Sequence, residues 1–376
     1  MMPIVLIWLT ILIFKVVMAL YVLRTNPPSL EGGDFRQVAV LQPILSGDPA
    51  LESVLEANLY GLEGASFLWL IDENDEQAQS VTGHLKQRYP HMDIAIHRFP
   101  QPPEGVNPKL FKLEQGRKLT DKATFLVLDD DAILPAASLR TMTGALRENT
   151  LVTALPWYQP QLNFPSRLLA QFVNDNAALT YLPLLPFAQP LSINGMCYLL
   201  DAALLERVGG FTPILRYLTD DLALATLLTR QGARLKQSTA PVCVQTSIPD
   251  SQRYLRQMHR WFLFATLLMR EKTPAINAAI TLLQGVPTLL LWAILWLGIS
   301  GGTAQLTMLI AVLLIHYLAL RRVQHAISPH IPGRPLLSLI SALLQPLHLA
   351  HALVNRTIYW RSRRYRIHSN DRFTSI

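Results

Sequence analysis

Long apolar segments are the feature that most constrains this chain, because each of them needs either a membrane or a large buried core. The first, residues 3–23, reads P-I-V-L-I-W-L-T-I-L-I-F-K-V-V-M-A-L-Y-V-L, close to the roughly 20 residues of a membrane-spanning helix. A secretory signal peptide would carry positive charge before the apolar run and small residues after it. Here Arg24 and Arg36 follow the run, so we predict an uncleaved anchor over residues 1–24 whose C-terminal end lies in the cytoplasm.

Two further apolar segments, residues 276–299 and 304–320, are separated by the uncharged link Ser300-Gly301-Gly302-Thr303. Basic residues precede the first segment at positions 270 and 272, and basic residues follow the second at positions 321 and 322. Positive charge collects on the cytoplasmic side of membrane proteins. We therefore predict a transmembrane hairpin over residues 273–320 with both of its ends in the cytoplasm.

Residues 335–354 are also apolar, but they include Gln345, Pro346, His348 and His351. If this segment crossed the membrane, the arginine-rich tail would lie outside, against the charge rule. We therefore favour a re-entrant or interfacial segment over a fourth span. Together with the basic cytosolic tail it makes up residues 321–376.

The composition indicates a membrane protein. Half of the residues are hydrophobic and 16% are charged, against about 25% charged residues in ordinary soluble proteins. This excludes intrinsic disorder, collagen and coiled coil, and it argues against a purely soluble enzyme. With only two cysteines, the chain has no disulfide framework and no cysteine-based zinc site.

The charge is unevenly distributed along the chain. From Arg321 onward there are nine arginines and one acidic residue, a net charge of +8, so that the first 320 residues sum to −1. A near-neutral body with a basic tail suits an anionic membrane surface. It does not suit nucleic acid, and we predict no nucleic-acid partner.

Residues 25–250 are predicted to form a cytosolic α/β domain. Short apolar runs have the length and composition of buried strands; they lie at residues 37–42, 67–71, 94–97 and 124–128. Helical stretches separate them, and this alternation indicates a mixed, mostly parallel sheet. Ligands of such sheets bind beyond the carboxyl ends of the strands, so the residues that follow the strands are the candidates for a site.

Acidic clusters follow two of these strands. Asp129-Asp130-Asp131 comes directly after residues 124–128, and D-E-N-D-E occupies residues 72–76. Adjacent carboxylates raise one another's pKa and destabilise the fold, and a divalent cation that bridges them to a diphosphate would offset this repulsion. The alternative for the aspartate triplet is a solvated loop that caps a helix near Pro135. For residues 72–76, an ordinary acidic turn is the simpler interpretation.

Two later segments are also candidates. Asp220-Asp221 precedes a helical run at residues 222–228, where a carboxylate could cap the helix or act as a base. Residues 251–272 mix apolar and arginine side chains, which predicts an amphipathic helix at the membrane interface. This helix contains Gln257-Met258-His259-Arg260-Trp261 and could therefore also contribute to a site.

In this order, the acidic cluster, the D-x-D, the D-D pair and the Q-x-x-R-W motif resemble those of membrane-bound GT-A glycosyltransferases, most closely the ceramide glucosyltransferase branch. Connecting segments resemble that branch as well; they are Val106-Asn107-Pro108-Lys109-Leu110 with Leu113, Asn194-Gly195-Met196 with Leu204 and Gly209-Gly210-Phe211, and Trp360-Arg361 with Arg364-Tyr365-Arg366. The resemblance covers nearly the whole chain. It departs from the family pattern in the spacing of the first acidic cluster, in Lys112 where the family has Asn, and in Asp220 where it often has Glu.

The resemblance implies a GT-A fold, a UDP-sugar donor and Mg²⁺ or Mn²⁺ as the metal. Asp72 and Asp75, with Glu73 as a rival, would hold the uridine end of the donor. Lys109 would help to hold the donor. The D-x-D carboxylates would bind the metal on the diphosphate; these are Asp129, which would also contact the donor, and Asp131.

The resemblance further implies an inverting transfer, which needs a base on the acceptor side. Asp221 would be that general base, acting on the acceptor hydroxyl. Gln257, Arg260 and Trp261 would close over the diphosphate and the acceptor, and the fork of an arginine suits phosphate oxygens. The neighbouring charge of Asp220 would raise the pKa of Asp221 toward the working pH.

The membrane segments indicate a lipid acceptor. The resemblance favours a ceramide-like lipid and glucose as the sugar, with a hopanoid or another glycolipid acceptor as the alternative. The apolar, proline-rich residues 181–191 form either a structural loop or a lipid-entry lid. Short loops favour a bacterial inner membrane.

Two other functions compete with this one. A processive polysaccharide synthase shares the D-x-D and Q-x-x-R-W motifs, but it needs a polymer channel, and three predicted spans give little wall for one. A non-catalytic membrane scaffold is the alternative outside the enzymes. A scaffold would gain nothing from retaining unpaired carboxylates.

Overall fold

The computed structural model of the chain describes residues 1–27, 34–245, 247–360 and 363–375. Helix α1 (Met2–Thr25) precedes an α/β domain whose strands are β1 (Val38–Pro43), β2 (Ser66–Asp72), β3 (Ile94–Phe99), β4 (Thr124–Leu128), β5 (Ala132–Ile133), β6 (Thr150–Tyr158), β7 (Cys197–Asp201) and β8 (Arg234–Val244). The helices of this domain are α2 (Leu51–Gly61), α3 (Glu76–Arg88), α4 (Pro108–Gly116), α5 (Ala136–Ala145), α6 (Phe164–Tyr181), α7 (Ala202–Arg207) and α8 (Asp220–Arg230). The remaining elements are α9 (Ser251–Glu271), α10 (Pro274–Ile280), α11 (Val286–Ser300), α12 (Thr303–Ile327), α13 (Pro335–Val354), β9 (Thr357–Trp360), β10 (Arg363–Ile367) and β11 (Phe373–Ser375).

Strands β1 to β8 form one sheet in the order β3-β2-β1-β4-β7-β6-β8-β5. β1 pairs in parallel with β2 and β4, and β2 pairs in parallel with β3. In the other half, β6 and β8 are parallel, whereas β7 runs antiparallel to β4 and β6, and β5 antiparallel to β8. The predicted α/β class with a mixed, mostly parallel sheet is therefore confirmed. The carboxyl ends of β1, β2 and β4 share one edge, as ligand-binding edges of such sheets do.

The central strands form because their residues are apolar on both faces. Every residue of β1 and β2 is buried, which is typical of parallel strands covered by helices on both sides. Successive side chains alternate between the faces, so that Phe67 and Trp69 join one core cluster while Leu68 and Leu70 join the other. Trp69 Nε1 donates to Gln42 Oε1 at 3.0 Å, which satisfies both buried polar groups and fixes β1 against β2.

Among the described residues, four helical segments are long and apolar enough to cross a membrane: Met2–Thr25, Pro274–Ser300, Thr303–Ile327 and Pro335–Val354. The first three overlap the predicted anchor and hairpin, but the third continues seven residues beyond the predicted end at residue 320. The fourth, α13, continues as one helix through Pro346, and its length and composition would also allow it to span. The interfacial placement favoured from the sequence stays a prediction.

Lys15 of α1 ties this helix to the turn between α10 and α11. Lys15 Nζ donates to the Leu283 carbonyl at 2.8 Å and to Gln284 Oε1 at 3.0 Å. Both acceptors belong to a single π-helical turn, Thr281–Gly285, between α10 and α11. Wide turns of this kind interrupt the regular backbone ladder of a helix, and a charged side chain within a helical bundle needs such a partner.

The strands β9, β10 and β11 form a second, antiparallel sheet beside α9. Arg256 of α9 and Arg364 of β10 lie over the ring of Tyr359, at 4.7 Å and 5.3 Å from its centroid. His259 Nε2 of α9 donates to the Thr357 carbonyl at 3.0 Å. The small sheet is thus fixed to the helix that contains the Q-x-x-R-W motif. Arg361 of the predicted tail motif lies outside the described residues.

Candidate active site

A lysine bridges two carboxylates at the carboxyl edge of the large sheet. Lys109 Nζ lies 2.7 Å from Asp129 Oδ1 and 2.9 Å from Asp220 Oδ2, and it donates to the Gly195 carbonyl at 2.8 Å. Burial lowers the pKa of Lys109, but the two carboxylates outweigh burial and raise it well above its ordinary value. The ammonium group therefore stays charged and joins the segment after β4 to the start of α8.

The local sequence fixes the direction in which Lys109 points. Asn107 is the N-cap of α4, and its Oδ1 accepts from Lys109 N at 3.0 Å and from Leu110 N at 3.4 Å. Pro108 occupies the first turn, where the missing N–H of a proline has no partner to lose. The N-P-K element is thus a helix start that presents Lys109 to the site.

The three aspartates after β4 lie close to other carboxylates. Burial raises the pKa of Asp131 well above its ordinary value, and Asp129 and Asp130 raise it further. Burial also raises the pKa of Asp129 in spite of Lys109, and it raises the pKa of Asp130 to about 7. Ionisation of all three carboxyl groups would therefore give more negative charge than Lys109 offsets, and their oxygens are the ligand type that Mg²⁺ and Mn²⁺ prefer.

These aspartates would supply only part of a metal site. Within the described ranges, no three His, Cys, Asp or Glu side chains are grouped so that they could hold a metal ion. Asp129 and Asp131 could contribute two carboxylates, and a bound phosphate group would have to provide further oxygens. Mg²⁺ is commonly held in this way, by one or two carboxylates together with substrate phosphates.

The Asp220–Asp221 pair begins α8, directly after the N-cap residue Thr219. Asp221 Oδ1 accepts from Leu222 N at 2.7 Å. Burial, and after it the charge of Asp220, raises the pKa of Asp221 to about 7. A carboxyl group with a pKa near neutrality, at the wall of a cavity, is suited to accept a proton.

A glycine allows the Asp pair to sit close to the sheet. A Cβ added at Gly195 would lie 3.2 Å from Asp221 Cβ and 3.5 Å from Asp220 Oδ2. The Gly195 carbonyl also accepts the hydrogen bond from Lys109. The glycine of the Asn-Gly-Met segment therefore allows the backbone at Gly195 to lie close to Asp220 and Asp221.

Helix α9 brings the Q-x-x-R-W side chains to the same place. The spacing i, i+3, i+4 puts them on one helix face. Arg260 Nη2 donates to Gln257 Oε1 at 3.0 Å. The Trp261 ring stacks on Phe172 at 6.1 Å and meets Tyr158 edge-on at 6.2 Å. The motif thus presents a guanidinium group beside a wall of aromatic rings.

The first acidic cluster has a different environment. Asp75 is the N-cap of α3 and accepts from Ala78 N at 3.0 Å, and its other oxygen accepts from Ser46 N at 2.9 Å. Asp72 Oδ1 lies 3.4 Å from the buried ammonium group of Lys112, and the Glu73 side chain is exposed. Lys112, which departs from the family pattern, thus serves as a counter-ion to Asp72.

Two cavities meet at the site. The larger, of about 520 Å³, has apolar lining residues that include Phe172, Val173, Ala177, Leu218, Phe264 and Ile358; we call it the apolar cavity. The smaller, of about 310 Å³, is lined by Lys112, Arg253, Arg256 and Tyr359 among others; we call it the basic cavity. Five residues line both cavities: Asn107, Lys109, Asp129, Gln257 and Arg260. Asp131, Asp221 and Trp261 line the apolar cavity, while Asp72, Glu73 and Asp75 line neither.

Several lining residues had no predicted role. Arg253 and Arg256 precede Arg260 by seven and four positions, and this helical spacing on one face could have revealed them. Phe172 and Tyr158 belong to α6 and β6. No pattern in the sequence connects these two to the motifs, because only the folding of distant segments brings them together.

Comparison with known proteins agrees with this architecture. The family model described as Glycosyl transferase family 21 matches residues 3–373. Ceramide glucosyltransferase 1 of Caenorhabditis elegans is 23% identical to this chain over 248 residues. That match covers 64% of this chain and 51% of the worm protein, so the match spans about half the length of this relative.

A solved structure shares the fold. The mannosyltransferase PcManGT from Pyrobaculum calidifontis, in complex with GDP-Man and Mn²⁺, is similar with a TM-score of 0.50 and 15% sequence identity. The likeness covers 92% of this chain and 99% of that chain. It supports the predicted GT-A type of fold. In this chain the mixed sheet is accompanied at both ends by helices that are long and apolar enough to cross a membrane.

Proposed function

This chain belongs to glycosyl transferase family 21, and from that premise we propose that it is an inverting glycosyltransferase that moves a sugar from a UDP-sugar to a membrane lipid hydroxyl. We favour glucose as the sugar and a ceramide-like lipid as the acceptor. The observation that carries the proposal is the shared wall of two unlike cavities, which includes Lys109, Asp129 and Arg260. A charged donor in the basic cavity and an apolar acceptor in the apolar cavity can meet beside these shared residues and react there.

The basic cavity suits a nucleotide diphosphate. Lys112, Arg253, Arg256 and Arg260 line it, and guanidinium groups bind phosphate oxygens through two parallel hydrogen bonds. The Pyrobaculum calidifontis mannosyltransferase contains GDP-Man, which supports a nucleotide-diphosphate sugar as the donor in a fold of this kind. Among the proposed uridine contacts Asp72, Glu73 and Asp75, none lines either cavity itself; we favour Asp72, because its carboxylate pairs with Lys112, which lines the basic cavity.

Asp129 and Asp131 are the proposed protein ligands of Mg²⁺ or Mn²⁺. They fit a divalent cation because burial and neighbouring carboxylates raise the pKa of Asp131, so that a bound positive charge would relieve the repulsion among them. The Mn²⁺ of the Pyrobaculum calidifontis structure supports a divalent ion in this fold. Such an ion would neutralise charge on the departing diphosphate.

The chain's own residues perform the transfer as follows. Asp221 accepts the proton of the acceptor hydroxyl while the hydroxyl oxygen bonds to the anomeric carbon on the face opposite the diphosphate. The bond from that carbon to the diphosphate oxygen breaks, and the electron pair leaves with the diphosphate, so that the anomeric centre is inverted. Arg260 donates to the leaving oxygens. With a pKa of about 7, Asp221 is ionised in a large fraction of molecules at neutral pH.

The apolar cavity suits a lipid acceptor because of what surrounds it. Its apolar lining comes largely from α6 and α9, and α13 packs against both of these helices. Since α13 is apolar enough to lie in a bilayer, we propose that membrane lies next to the cavity. We propose an integral membrane protein with a cytosolic catalytic domain, and we favour a bacterial inner membrane.

A transfer assay tests the proposal. Membranes that contain the protein are incubated with labelled UDP-glucose, UDP-N-acetylglucosamine or UDP-galactose, with Mn²⁺ or Mg²⁺, and with ceramide, diacylglycerol or a hopanoid extract. We expect label from UDP-glucose in extracted ceramide. The matched control is Asp221→Asn, which keeps the shape of the side chain and should lower turnover by about a thousandfold while UDP binding persists.

The other outcomes separate the competing functions. Label in a different lipid would correct the acceptor and keep the reaction class. Label in a polymer that organic solvent does not extract would identify a processive synthase. Absence of any transfer, together with absence of metal-dependent UDP binding, would identify a scaffold.

A further inference from the structure

The turn between β10 and β11 places Asn370 against the residues that precede α8. Asn370 Oδ1 accepts hydrogen bonds from Thr219 N at 2.9 Å and from Thr219 Oγ1 at 2.6 Å. The Asn370 carbonyl accepts from Leu218 N at 2.8 Å. Asn370 is 4% exposed and Thr219 is 2% exposed, so these bonds form away from water, where an unmatched polar group is costly.

Thr219 is the residue through which Asn370 reaches the site. It is the N-cap of α8, yet its side chain makes no capping hydrogen bond within the helix. Its amide and its hydroxyl are both directed to Asn370. The next two residues are Asp220 and Asp221, so Asn370 fixes the backbone directly before the proposed base.

A second asparagine, Asn107, lies before this segment in the sequence and also forms hydrogen bonds with it. Asn107 N donates to the Leu215 carbonyl at 2.7 Å, and Asn107 Nδ2 donates to the Tyr217 carbonyl at 3.1 Å. Asn107 is also the cap that starts α4 and orients Lys109. Residues 215–219 are therefore clamped between the element that carries Lys109 and the C-terminal sheet.

The other end of the Asn370 side chain reaches α9. Asn370 Nδ2 donates to Glu271 Oε1 at 3.4 Å, and Glu271 is the last residue of α9. One amide group thus connects the start of α8, which carries Asp221, to the helix that carries Arg260. The separation of 151 residues between Asn370 and Thr219 keeps this contact out of reach of any local sequence pattern.

We propose that Asn370 is a positioning residue, which acts through Thr219 to hold Asp221 where it accepts the proton of the acceptor hydroxyl. The proposal rests on the proposed function, because it assigns Asn370 a part in the same transfer. A displacement of a reacting group by about 1 Å can lower a rate by about a hundredfold. The C-terminal sheet therefore supports the proposed base from a distance, since Asn370 lines neither the apolar nor the basic cavity.

The test compares Asn370→Ala with a neighbouring control. Asn370→Ala removes all three side-chain hydrogen bonds, two with Thr219 and one with Glu271, and should lower kcat by about ten- to a hundredfold, with KM for the UDP-sugar and metal-dependent UDP binding unchanged. Ser369→Ala is the matched control in the same turn. The Ser369 hydroxyl bonds to Asp371 and not to residues 218–219, so this variant should keep the wild-type kcat.

A rescue experiment separates positioning from mere stability. The double variant Asn370→Asp with Glu271→Gln exchanges donor and acceptor between the two side chains while preserving all of their hydrogen bonds. The kcat of this double variant should lie within about threefold of wild type and well above that of Asn370→Ala, since the effects of substitutions at two residues in contact are not additive. Thr219→Val, which removes only the hydroxyl bond, is a milder variant. It should lower kcat less than Asn370→Ala does. Combined with Asn370→Ala, it should lower kcat little further.

Each result decides the proposal. An unchanged kcat in Asn370→Ala, while wild type transfers sugar to lipid, would overturn the role of Asn370 and leave the proposed function standing. An equal loss of kcat, UDP binding and thermal stability without rescue would make Asn370 merely structural and would also overturn it. Failure of wild type to transfer sugar at all would overturn the proposed function, and this inference with it.

Discussion

Asp75 and Asp131 follow parallel strands that end at the same edge of the sheet, yet their carboxylates have opposite environments. Asp75 accepts from two backbone amides, Ala78 N and Ser46 N. Burial raises the pKa of Asp75, but these hydrogen bonds outweigh it and bring the pKa below its ordinary value. For Asp131, burial and the nearby carboxylates act together and raise the pKa well above its ordinary value.

The difference separates an acidic group whose ionised form stabilises the fold from one whose ionised form destabilises it. A lowered carboxyl pKa means that the ionised form stabilises the folded state, whereas a raised pKa means that the ionised form destabilises it. Asp75 therefore contributes to folding by itself. Asp131 becomes favourable only when a ligand brings positive charge, which is how groups at binding sites differ from groups at helix caps.

Replacement of Asp131 should have the largest effect on this comparison. Asp131→Asn removes a destabilising charge, so in buffer without divalent ions the free energy of unfolding should rise by about 1 kcal/mol. The same change should weaken metal-dependent UDP binding by at least about tenfold, and Asp129→Asn should weaken it as well. Thermal unfolding and UDP titration with Mn²⁺ measure both effects. Lower stability with unchanged UDP binding would contradict the distinction.

The Asp220–Asp221 pair tests the same idea at the proposed base. Because Asp221 must be ionised to accept a proton, kcat/KM should rise with pH through about 7, the pKa of this group. Asp220 adds to the effect of burial, so Asp220→Asn should move that rise about one pH unit lower. Its activity relative to wild type should therefore be highest in acid. A pH profile that stays in place would show that the neighbouring charge does not tune Asp221.

Much of the sheet could be predicted because buried parallel strands are continuous apolar runs. The predicted run at residues 67–71 differs from β2 by one residue at each end, and the run at residues 124–128 is identical with β4. The motifs also indicated Asp129 and Arg260, and the resembling N-P-K segment indicated Lys109; the structure places all three beside both cavities. The strand predictions are confirmed and the roles of the three site residues stay predictions; both rest on patterns that are local in the sequence.

The rest depends on contacts between distant segments. The D-D pair was predicted as a cap or a base, but the cap position is Thr219. The partner of Thr219 is Asn370, which lies in the basic tail beyond the family-like motif at residues 360–366. The two acidic clusters have similar amino-acid sequences. Only the backbone amides around Asp75 and the carboxylates around Asp131 distinguish them.

The smallest effect, and the sharpest test of the comparison, is expected at Asp75. Asp75→Ala removes the N-cap of α3 and should lower the free energy of unfolding by about 1 kcal/mol. Asp75→Asn is the control, because Asn caps helices about as well as Asp and should keep most of this stability. Since Asp75 lines neither cavity, both variants should keep KM for the UDP-sugar within about twofold, as expected of a residue outside the binding surface. A tenfold higher KM in Asp75→Asn at unchanged stability would reverse the comparison, because it would assign Asp75 to the uridine and make the helix cap incidental.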